Sequence, residues 1–224
     1  MMSVTEALKT RTSIRAFKPD PVAKSVVREI LDVARWAPSG GNLQPWKVIA
    51  VAGAERDAVC TLARDAVSRD VAGEEGDRRA YPENLWEPYR SRRFKNGEDM
   101  YALLQIPREN RAARLMHVAR NFDLFGAPVG LFFIIDRRMG HAQWAHLGMF
   151  MQSIALAAVE RGVSTCMQEF WGRVRTTLHG HFALAEEDML YCGMALGYAD
   201  ERAAVNKMRS DRVEVEEFTA FRGF

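Results

Sequence analysis

The sequence feature that most constrains this chain is the segment Trp36-Ala-Pro-Ser-Gly-Gly-Asn-Leu-Gln-Pro-Trp46. Pro38 ends the preceding helical pattern, because proline disfavours a helical conformation in the residue before it. Gly40 and Gly41 permit positive φ or a close approach of the backbone to a flat group. The two tryptophans bracket three small polar side chains, those of Ser39, Asn42 and Gln44. The segment is therefore either a helix-to-strand connection with two core tryptophans or a binding loop.

A second pattern, Arg11-Thr-Ser-Ile-Arg15-Ala-Phe17, lies upstream of this loop. Residues two apart in an extended segment share a face, so two guanidiniums and a hydroxyl would point the same way. Arginine binds phosphate in a planar fork, and serine adds a short donor. The pattern predicts a phosphate site, with an ordinary basic surface strand as the alternative.

Together the two segments resemble the FMN-dependent nitroreductase family, whose members begin with Arg-x-Ser-x-Arg and continue to Ala-Pro-Ser-x-x-Asn-x-Gln-Pro-Trp. The resemblance covers nearly the whole chain. It implies an α+β fold in which helices wrap a mixed sheet, and a homodimer with exchanged C-terminal tails. It also implies bound FMN, with NADH or NADPH as co-substrate.

The resemblance further implies which residues bind the cofactor. In the N-terminal half these are Arg11, Thr12, Ser13, Arg15, Pro38, Ser39, Gly40, Asn42 and Gln44. Within that set, four residues would reach the FMN of the other subunit: Pro38, Ser39, Gly40 and Asn42. Reduced flavin carries negative charge that a fixed cation stabilises, and Arg15 is the candidate for that cation.

The turn after the predicted strand Val163 to Phe170 would run along the flavin edge, by the same resemblance. Met167, Gln168 and Glu169 would line the flavin there, and a backbone N–H near Glu169 would bond to N5. Simple core packing is the alternative for the side chains of Cys166 and Met167. No side chain is assigned as an acid or a base, because FMN carries the chemistry.

The C-terminal tail resembles the family's terminal signature, a basic residue followed by apolar and acidic residues. Arg212 best matches the phosphate-binding arginine, because the segment 213–217 then occupies the apolar and acidic positions. Lys207 and Arg209 are second choices. Glu214 stands where the family usually has proline.

Hydrophobic periodicity predicts the remaining elements. Ser3 and Glu6 have the spacing of a capping box at the first short helix. Further helices are expected at 22–35, 54–71, 108–125, 141–161 and 174–182. Strands are expected at 48–51, 129–135, 163–170 and 189–195, the first two buried and the second central. We expect one domain, 1–224, with a C-terminal arm at about 203–224 that has no core of its own.

The segment from Tyr81 to Pro107 has no clean period. Its prolines argue against a long regular element, and its aromatics argue against disorder. We predict an irregular lid insertion at about 80–107, following a polar stretch at 72–80. Aromatic rings stack on planar ligands and arginines hold anions, so the substrate candidates are Trp86, Tyr89, Arg90, Arg93 and Phe94. Alternatively, these arginines are solvated on the outer face of the lid.

Composition excludes several classes of protein. The 31 basic residues nearly balance 29 acidic ones, which argues against nucleic-acid binding despite the basic, aromatic run at 90–95. Three scattered cysteines without Cys-x-x-Cys indicate neither disulfides nor zinc, and the histidines show no metal-binding spacing. The start does not look like a signal peptide, and the apolar runs are too short to cross a bilayer. We expect a cytoplasmic protein without a metal.

These observations predict an FMN-dependent oxidoreductase that reduces nitroaromatic or similar electron-poor aromatic compounds with NAD(P)H. Hydride would pass through flavin N5 in a ping-pong cycle, because both substrates need the same flavin face. The alternatives are dehalogenation or other flavin chemistry on the same fold, and a non-catalytic flavin-binding module.

Overall fold

The structure, a computed structural model, describes residues 2–70, 73–74 and 81–224. The predicted polar stretch at 72–80 lies mostly outside the described residues, as does the first residue of the predicted lid, Ala80.

Seven α-helices and four strands occur in the described residues. The helices are α1 (Val4–Thr10), α2 (Lys24–Ala34), α3 (Gly53–Arg69), α4 (Tyr89–Leu103), α5 (Arg111–Ala119), α6 (His141–Glu160) and α7 (Arg175–His181). The strands are β1 (Lys47–Ala52), β2 (Val129–Asp136), β3 (Ser164–Gln168) and β4 (Asp188–Gly197). The predicted capping box is present at the start of α1, between Ser3 and Glu6.

The four strands form one sheet in the order β1-β2-β4-β3, and each neighbouring pair is antiparallel. A parallel bridge between Ser13 and Thr165 adds the N-terminal segment to the β3 edge. An antiparallel bridge joins Phe17 to Ala199. The predicted α+β fold, with helices wrapping a sheet, is confirmed.

The core lies on both faces of this sheet. One cluster joins Leu131 and Phe133 of β2 to residues of α2 and α6, while the other joins Phe132 to residues of α3 and α7. Successive strand residues point to opposite faces, so a strand covered on both faces is a continuous apolar run. The prediction of β2 as a buried central strand is confirmed. The nearly all-apolar sequence of α6 predicts a buried helix, but only seven of its 20 residues are buried and Met149 is exposed, because α6 packs on the sheet with one side.

Strand β1 differs from the prediction that it is buried. Only Val51 of its six residues is buried. The reason is its place in the sheet, since β1 is an edge strand paired with β2 alone. Gly53, at φ 56°, follows it and starts α3.

The predicted lid contains a regular element, and the expectation that its prolines exclude one was wrong. Pro82 and Pro88 precede α4, with Pro88 at its N-cap, and Pro107 follows the last residue of the helix, Leu103. Proline is tolerated at a helix start, because the first N–H groups have no partner within the helix. No residue of α4 is buried, which explains why its sequence shows no helical period.

The tail is partly packed on its own chain, contrary to the expectation that it has no core of its own. Val205 and Met208 are buried, and Val205 lies in a short 3₁₀ turn, Ala204–Lys207. Further along, Phe218, Phe221 and Phe224 are exposed. Across the described ranges, no helix has the length and apolar content needed to cross a membrane.

Candidate functional site

The segment Arg11–Phe17 is extended beside β3, as its alternating pattern predicts. The Ile14 N–H donates to the Thr165 carbonyl at 3.0 Å, and Ile14 itself is buried. Since successive side chains of an extended segment point to opposite sides, Ser13 and Arg15 share the face opposite Ile14. A further backbone bond, from the Lys18 N–H to the Tyr198 carbonyl at 2.8 Å, fixes the end of the segment.

Asn206 of the tail fixes the backbone of this segment. Its Oδ1 accepts the Arg15 N–H at 2.8 Å, and its Nδ2 donates to the carbonyls of Ala16 at 2.7 Å and Asp200 at 2.9 Å. Sequence reasoning missed Asn206. A side chain that binds the backbone 191 positions away leaves no local pattern to find.

Two guanidiniums of the predicted phosphate site lie within electrostatic reach of each other. Burial lowers the pKa of Arg11, and the positive charge of Arg212 lowers it further. No carboxylate among the described residues forms an ion pair with Arg11. Two like charges without a counter-ion are unfavourable, so this pair is suited to an anion. The structure thus brings Arg11 near Arg212. The guanidiniums of Arg209 and Arg212 both donate to backbone carbonyls of the tail beside them.

The end of β3 matches the prediction only in part. Met167 and Glu169 reach the surface. The protein around the Glu169 carboxyl still shields it partly from water, and this desolvation raises its pKa. Gln168 is only 2% exposed: its Nε2 donates to the Asn121 carbonyl and Oδ1, and its Oε1 accepts from Trp171 Nε1. The polar atoms of the Gln168 side chain are thus used inside the protein, which leaves the backbone of Gln168 as the part that can line the predicted flavin.

The neighbouring Cys166 is buried, as the packing alternative predicts, and burial raises the pKa of its thiol to about 11. It has no features of a reactive cysteine. In the described part of the chain, no group of three His, Cys, Asp or Glu residues is placed to hold a metal ion.

The loop between the tryptophans is a tight turn held by its own polar groups. The Ser39 Oγ accepts the Gln44 N–H at 3.0 Å, and Gln44 Nε2 donates to the Asn42 carbonyl at 3.1 Å. Three residues have positive φ: Gly41, Asn42 and Gln44. The Gly40 N–H donates to His146 Nδ1, and a Cβ at Gly40 would lie 3.1 Å from the His146 ring. The loop is thereby docked on the start of α6.

The two tryptophans have different environments. Trp46 stacks on Phe150 of α6, with ring centroids 4.6 Å apart and planes 3° from parallel. Trp36 is 78% exposed, and Leu43 is exposed beside the same turn. The loop therefore has one core tryptophan and one that meets the surface.

The loop and the phosphate segment lie at opposite edges of the sheet. The loop leads into β1, and the segment Arg11–Phe17 runs beside β3, with β2 and β4 in between. Four strand spacings correspond to about 19 Å. Within a single chain, the loop residues that are predicted to contact FMN therefore lie far from those of the predicted phosphate site. The first group is Pro38, Ser39, Gly40 and Asn42, and the second is Arg11, Ser13 and Arg15.

The lid helix α4 is joined to the tail next to Arg212. The Ser210 Oγ donates to Asn96 Oδ1 at 2.6 Å, and Lys95 pairs with Asp211 at 2.7 Å. The pairing of Asp211 and Asp99 with Lys95 raises the pKa of its ammonium group. The structure thus brings the lid and the phosphate-site arginines to one side of the molecule.

The candidate substrate residues of the lid contact other lid residues or nearby segments. Arg90 pairs with Glu87 at 2.8 Å. Arg93 lies over the Tyr81 ring at 4.3 Å. The three candidate aromatic residues are all exposed: Trp86, Tyr89 and Phe94.

His117 of α5 is a buried titratable residue that sequence reasoning missed. Its ring contacts Tyr101 and Phe125, and its Nε2 has no hydrogen-bond partner among the described residues. Burial lowers the pKa of His117 from 6.5 to about 4, with smaller contributions from Arg120 and Arg15. His117 is therefore a neutral imidazole close to Arg15 at neutral pH.

Comparison with known proteins agrees with this geometry. A 4-nitrobenzoate reductase from Pseudomonas putida is 39% identical over 216 residues, which cover 96% of this chain and 93% of that protein. A nitrobenzene nitroreductase from Ectopseudomonas oleovorans is 36% identical, with 97% and 96% covered. Among solved structures, the FMN and NADPH-dependent nitroreductase NfnB from sphigopyxis sp. strain HMH superposes with a TM-score of 0.96 at 40% identity, covering 99% of this chain and 100% of that one. Residues 8–198 match the Nitroreductase family, and the chain belongs to that family.

Proposed function

We propose that this protein is an FMN-dependent oxidoreductase that reduces nitroaromatic compounds with NAD(P)H. The observation that carries the proposal is the paired guanidiniums of Arg11 and Arg212 beside the extended Ser13–Arg15 segment. The relatives named above reduce nitrobenzoate and nitrobenzene, and the structural neighbour is described as dependent on FMN and NADPH.

The donor set fits FMN. A phosphate monoester carries two negative charges, which two guanidiniums and a serine hydroxyl match in charge and in number of donors. Arg11, Ser13 and Arg212 would hold that phosphate, with Thr12 next to them in the extended segment. Arg11 has no acidic partner in the part of the chain that is described, so no protein carboxylate competes with the phosphate for its guanidinium.

When bound, FMN supplies hydride transfer between the nicotinamide and the nitro group. The protein's contribution is to position and stabilise. Arg15, whose backbone Asn206 fixes, provides a cation for the negative charge of a reduced flavin. The turn at Met167–Glu169 presents backbone N–H groups at the flavin edge. The buried Gln168 side chain supports this turn by bonding to Asn121 and Trp171.

The second half of the site comes from a partner copy, so the active species is a homodimer. Within one chain the loop at 36–46 lies at the opposite edge of the sheet from Arg11, about 19 Å away across four strands, which favours a loop from the partner copy beside Arg11. The loop presents two exposed apolar side chains, those of Trp36 and Leu43. Met149 is also exposed, three residues after His146, the α6 residue that the loop contacts. The exposed phenylalanines of the C-terminal arm supply further apolar surface. In the dimer, Pro38, Ser39, Gly40 and Asn42 reach the FMN of the other subunit.

The substrate lies under the lid at about 80–107. Trp86, Tyr89 and Phe94 offer exposed rings for stacking on an aromatic substrate, and Arg90 and Arg93 offer positive charge. Nicotinamide and nitroaromatic use the same flavin face in turn, which makes the kinetics ping-pong. We place the enzyme in the cytoplasm, because its three cysteines are free and buried.

Steady-state kinetics of the FMN-loaded protein test this function. We expect parallel double-reciprocal lines when NAD(P)H is varied at several fixed concentrations of a nitroaromatic compound. Lines that intersect, or no nitroaromatic-dependent oxidation of NAD(P)H by protein that contains FMN, would contradict it. An activity with a halogenated aromatic but none with its nitro counterpart would favour dehalogenation, and the absence of both would favour a binding module.

A further inference from the structure

One ring nitrogen of His146 faces a hydrogen-bond donor and an acceptor at the same time. The Gly40 N–H points at Nδ1 from 3.3 Å, and Gln143 Oε1 lies 3.2 Å from the same atom. An imidazole nitrogen carries either a lone pair or a proton, so it accepts in one state and donates in the other. Nδ1 therefore accepts from Gly40 or donates to Gln143, and does not do both.

The protonation state of the ring decides between these two partners. In the neutral form with its proton on Nε2, the Nδ1 lone pair accepts the Gly40 N–H. In the imidazolium both nitrogens carry protons, so Nδ1 donates to Gln143 Oε1 and turns a proton toward the Gly40 N–H. Two donors at this distance repel each other, and the hydrogen bond from Gly40 is lost.

The ring lies directly against the backbone of the loop because residue 40 is glycine. A Cβ there would lie 3.1 Å from His146 Cε1 and 3.7 Å from Gln143 Nε2. No side chain of residue 40 separates the ring from the loop backbone. A change in the hydrogen bonding of His146 therefore acts on the loop without an intermediate.

His146 contacts the middle of the loop, whereas Trp46 anchors its end. The stacking of Trp46 on Phe150 is an apolar contact and does not depend on charge. The hydrogen bond between Ser39 Oγ and the Gln44 N–H stays within the loop. Loss of the His146 contact would thus release the segment around Gly40 and leave the loop attached at Trp46.

The charged groups around α6 leave the ring without a fixed ionic partner. The loop at 36–46 and β3 have no ionisable side chain in contact with it, and α6 itself carries His141 and, at its far end, Glu160. No carboxylate among the described residues forms an ion pair with His146. Helices α1 and α2 also pack on α6, and their charged side chains are exposed. These are Glu6, Lys9, Lys24, Arg28, Glu29 and Asp32.

We propose that His146 is a positioning residue for the loop at 36–46: its neutral ring holds the loop on α6 through Gly40, and its protonated ring donates to Gln143 and releases the loop. The inference rests on the proposed function, in which this loop reaches the FMN of the other subunit. Histidine is the side chain that ordinarily changes charge between about pH 5 and pH 8. FMN binding therefore weakens as the pH falls through this range.

The first test is ¹⁵N NMR of FMN-loaded protein labelled at histidine, which reports the protonation of each ring nitrogen. The signal that is missing in His146→Asn identifies His146. We expect a proton on Nε2 and none on Nδ1 at about pH 7.5, and protons on both nitrogens at about pH 5.5. A proton on Nδ1 at the higher pH, or a ring that stays neutral at the lower one, would overturn the proposal.

The second test compares the FMN affinity of variants at the same two pH values. His146→Asn keeps an acceptor, because Oδ1 takes the place of Nδ1 and does not take up a proton. Between the higher and the lower pH, wild type should lose about fivefold more affinity than His146→Asn, the size of one hydrogen bond. The loss in His146→Asn measures the titration of the FMN phosphate itself.

Two further variants complete the comparison. His146→Leu has no acceptor, so it should bind FMN about fivefold more weakly than wild type at the higher pH. His141→Asn, at an exposed histidine of the same helix, is the matched control and should behave like wild type. Equal pH dependence of wild type and His146→Asn would overturn the proposal, as would unchanged affinity in His146→Leu. Protein that binds no FMN would instead refute the proposed function, while the NMR titration still tests the state of Nδ1.

Discussion

Asn206 accepts the backbone N–H of Arg15 at 2.8 Å, and so one amide of the C-terminal tail holds the segment that carries the proposed flavin cation. The same amide donates to Ala16 and Asp200. The tail of the same chain therefore supports the proposed site. The N-terminal and C-terminal signatures of the sequence meet at this residue.

Replacing Asn206 with alanine should loosen this junction. Three hydrogen bonds are lost, and the partly buried Arg15 N–H is left without an acceptor, so we expect a loss of about 1–3 kcal/mol in the free energy of unfolding. FMN binding should weaken as well. Urea unfolding of the apoprotein and titration with FMN measure both. Asn96→Ala removes a single surface bond to Ser210 and serves as the control; equal effects of the two variants would contradict this role of Asn206.

Arg11→Ala should lower the affinity for FMN without lowering the stability of the apoprotein. We expect FMN binding to weaken by about 1.5–3 kcal/mol, the usual size of a charge-assisted hydrogen bond. The apoprotein should be at least as stable as wild type, because the substitution removes repulsion between Arg11 and Arg212. Fluorescence titration with FMN and thermal unfolding without it give the two values. Unchanged FMN affinity would remove Arg11 from the site.

His117 predicts a dependence of stability on pH. Its pKa is 6.5 ordinarily and about 4 in the fold, so between these values the unfolded chain binds a proton that the native chain does not. Stability from this group is complete above about pH 6.5 and falls by roughly 3 kcal/mol as the pH drops to about 4. His117→Phe should fit between Tyr101 and Phe125 and lose less stability over this range. Urea unfolding of both proteins from pH 7 to pH 4 provides the comparison, and identical slopes would disprove the assignment.

Long periodic segments were predictable from sequence, because burial imposes their pattern. The apolar run of β2 follows from being covered on both faces of the sheet, and the buried side of α6 follows from packing on that sheet. Helix α4 has no buried residue, and its polar contacts, such as Lys95 with Asp99 inside the helix and with Asp211 of the tail, impose no hydrophobic periodicity. The sequence therefore does not reveal it by hydrophobic pattern.

Within the site, the extended Arg11–Phe17 segment was predictable from its alternation. The internal role of the Gln168 side chain was not, because its partners Asn121 and Trp171 come from other elements. Asn206 and His117 escaped for the same reason. Their function depends on contacts across the fold and not on neighbours in the sequence.

The lid should favour anionic aromatic substrates. Arg90 and Arg93 add positive charge beside the exposed aromatic rings. The charge of Arg90 is partly offset by its ion pair with Glu87 and is screened by solvent. We expect kcat/KM for nitrobenzoate to exceed that for nitrobenzamide by a few fold at low salt, since exposed charge pairs contribute about 1 kcal/mol or less. Arg90→Ala and Arg93→Ala should each reduce the ratio. Arg92→Ala, which removes a pair with Glu217, is the comparison. A ratio that is unchanged in both Arg90→Ala and Arg93→Ala would exclude these two lid arginines from specificity.

The most direct measurement is anaerobic spectroscopy of the purified, FMN-loaded protein. Addition of one equivalent of NADPH should bleach the visible absorbance of the bound flavin, and subsequent addition of a nitroaromatic compound should restore it. This sequence of events requires that one bound flavin accept hydride and pass it on. Flavin that stays oxidised with NADPH, or that stays bleached after the nitroaromatic compound is added, would contradict the assignment of this chain as a nitroreductase.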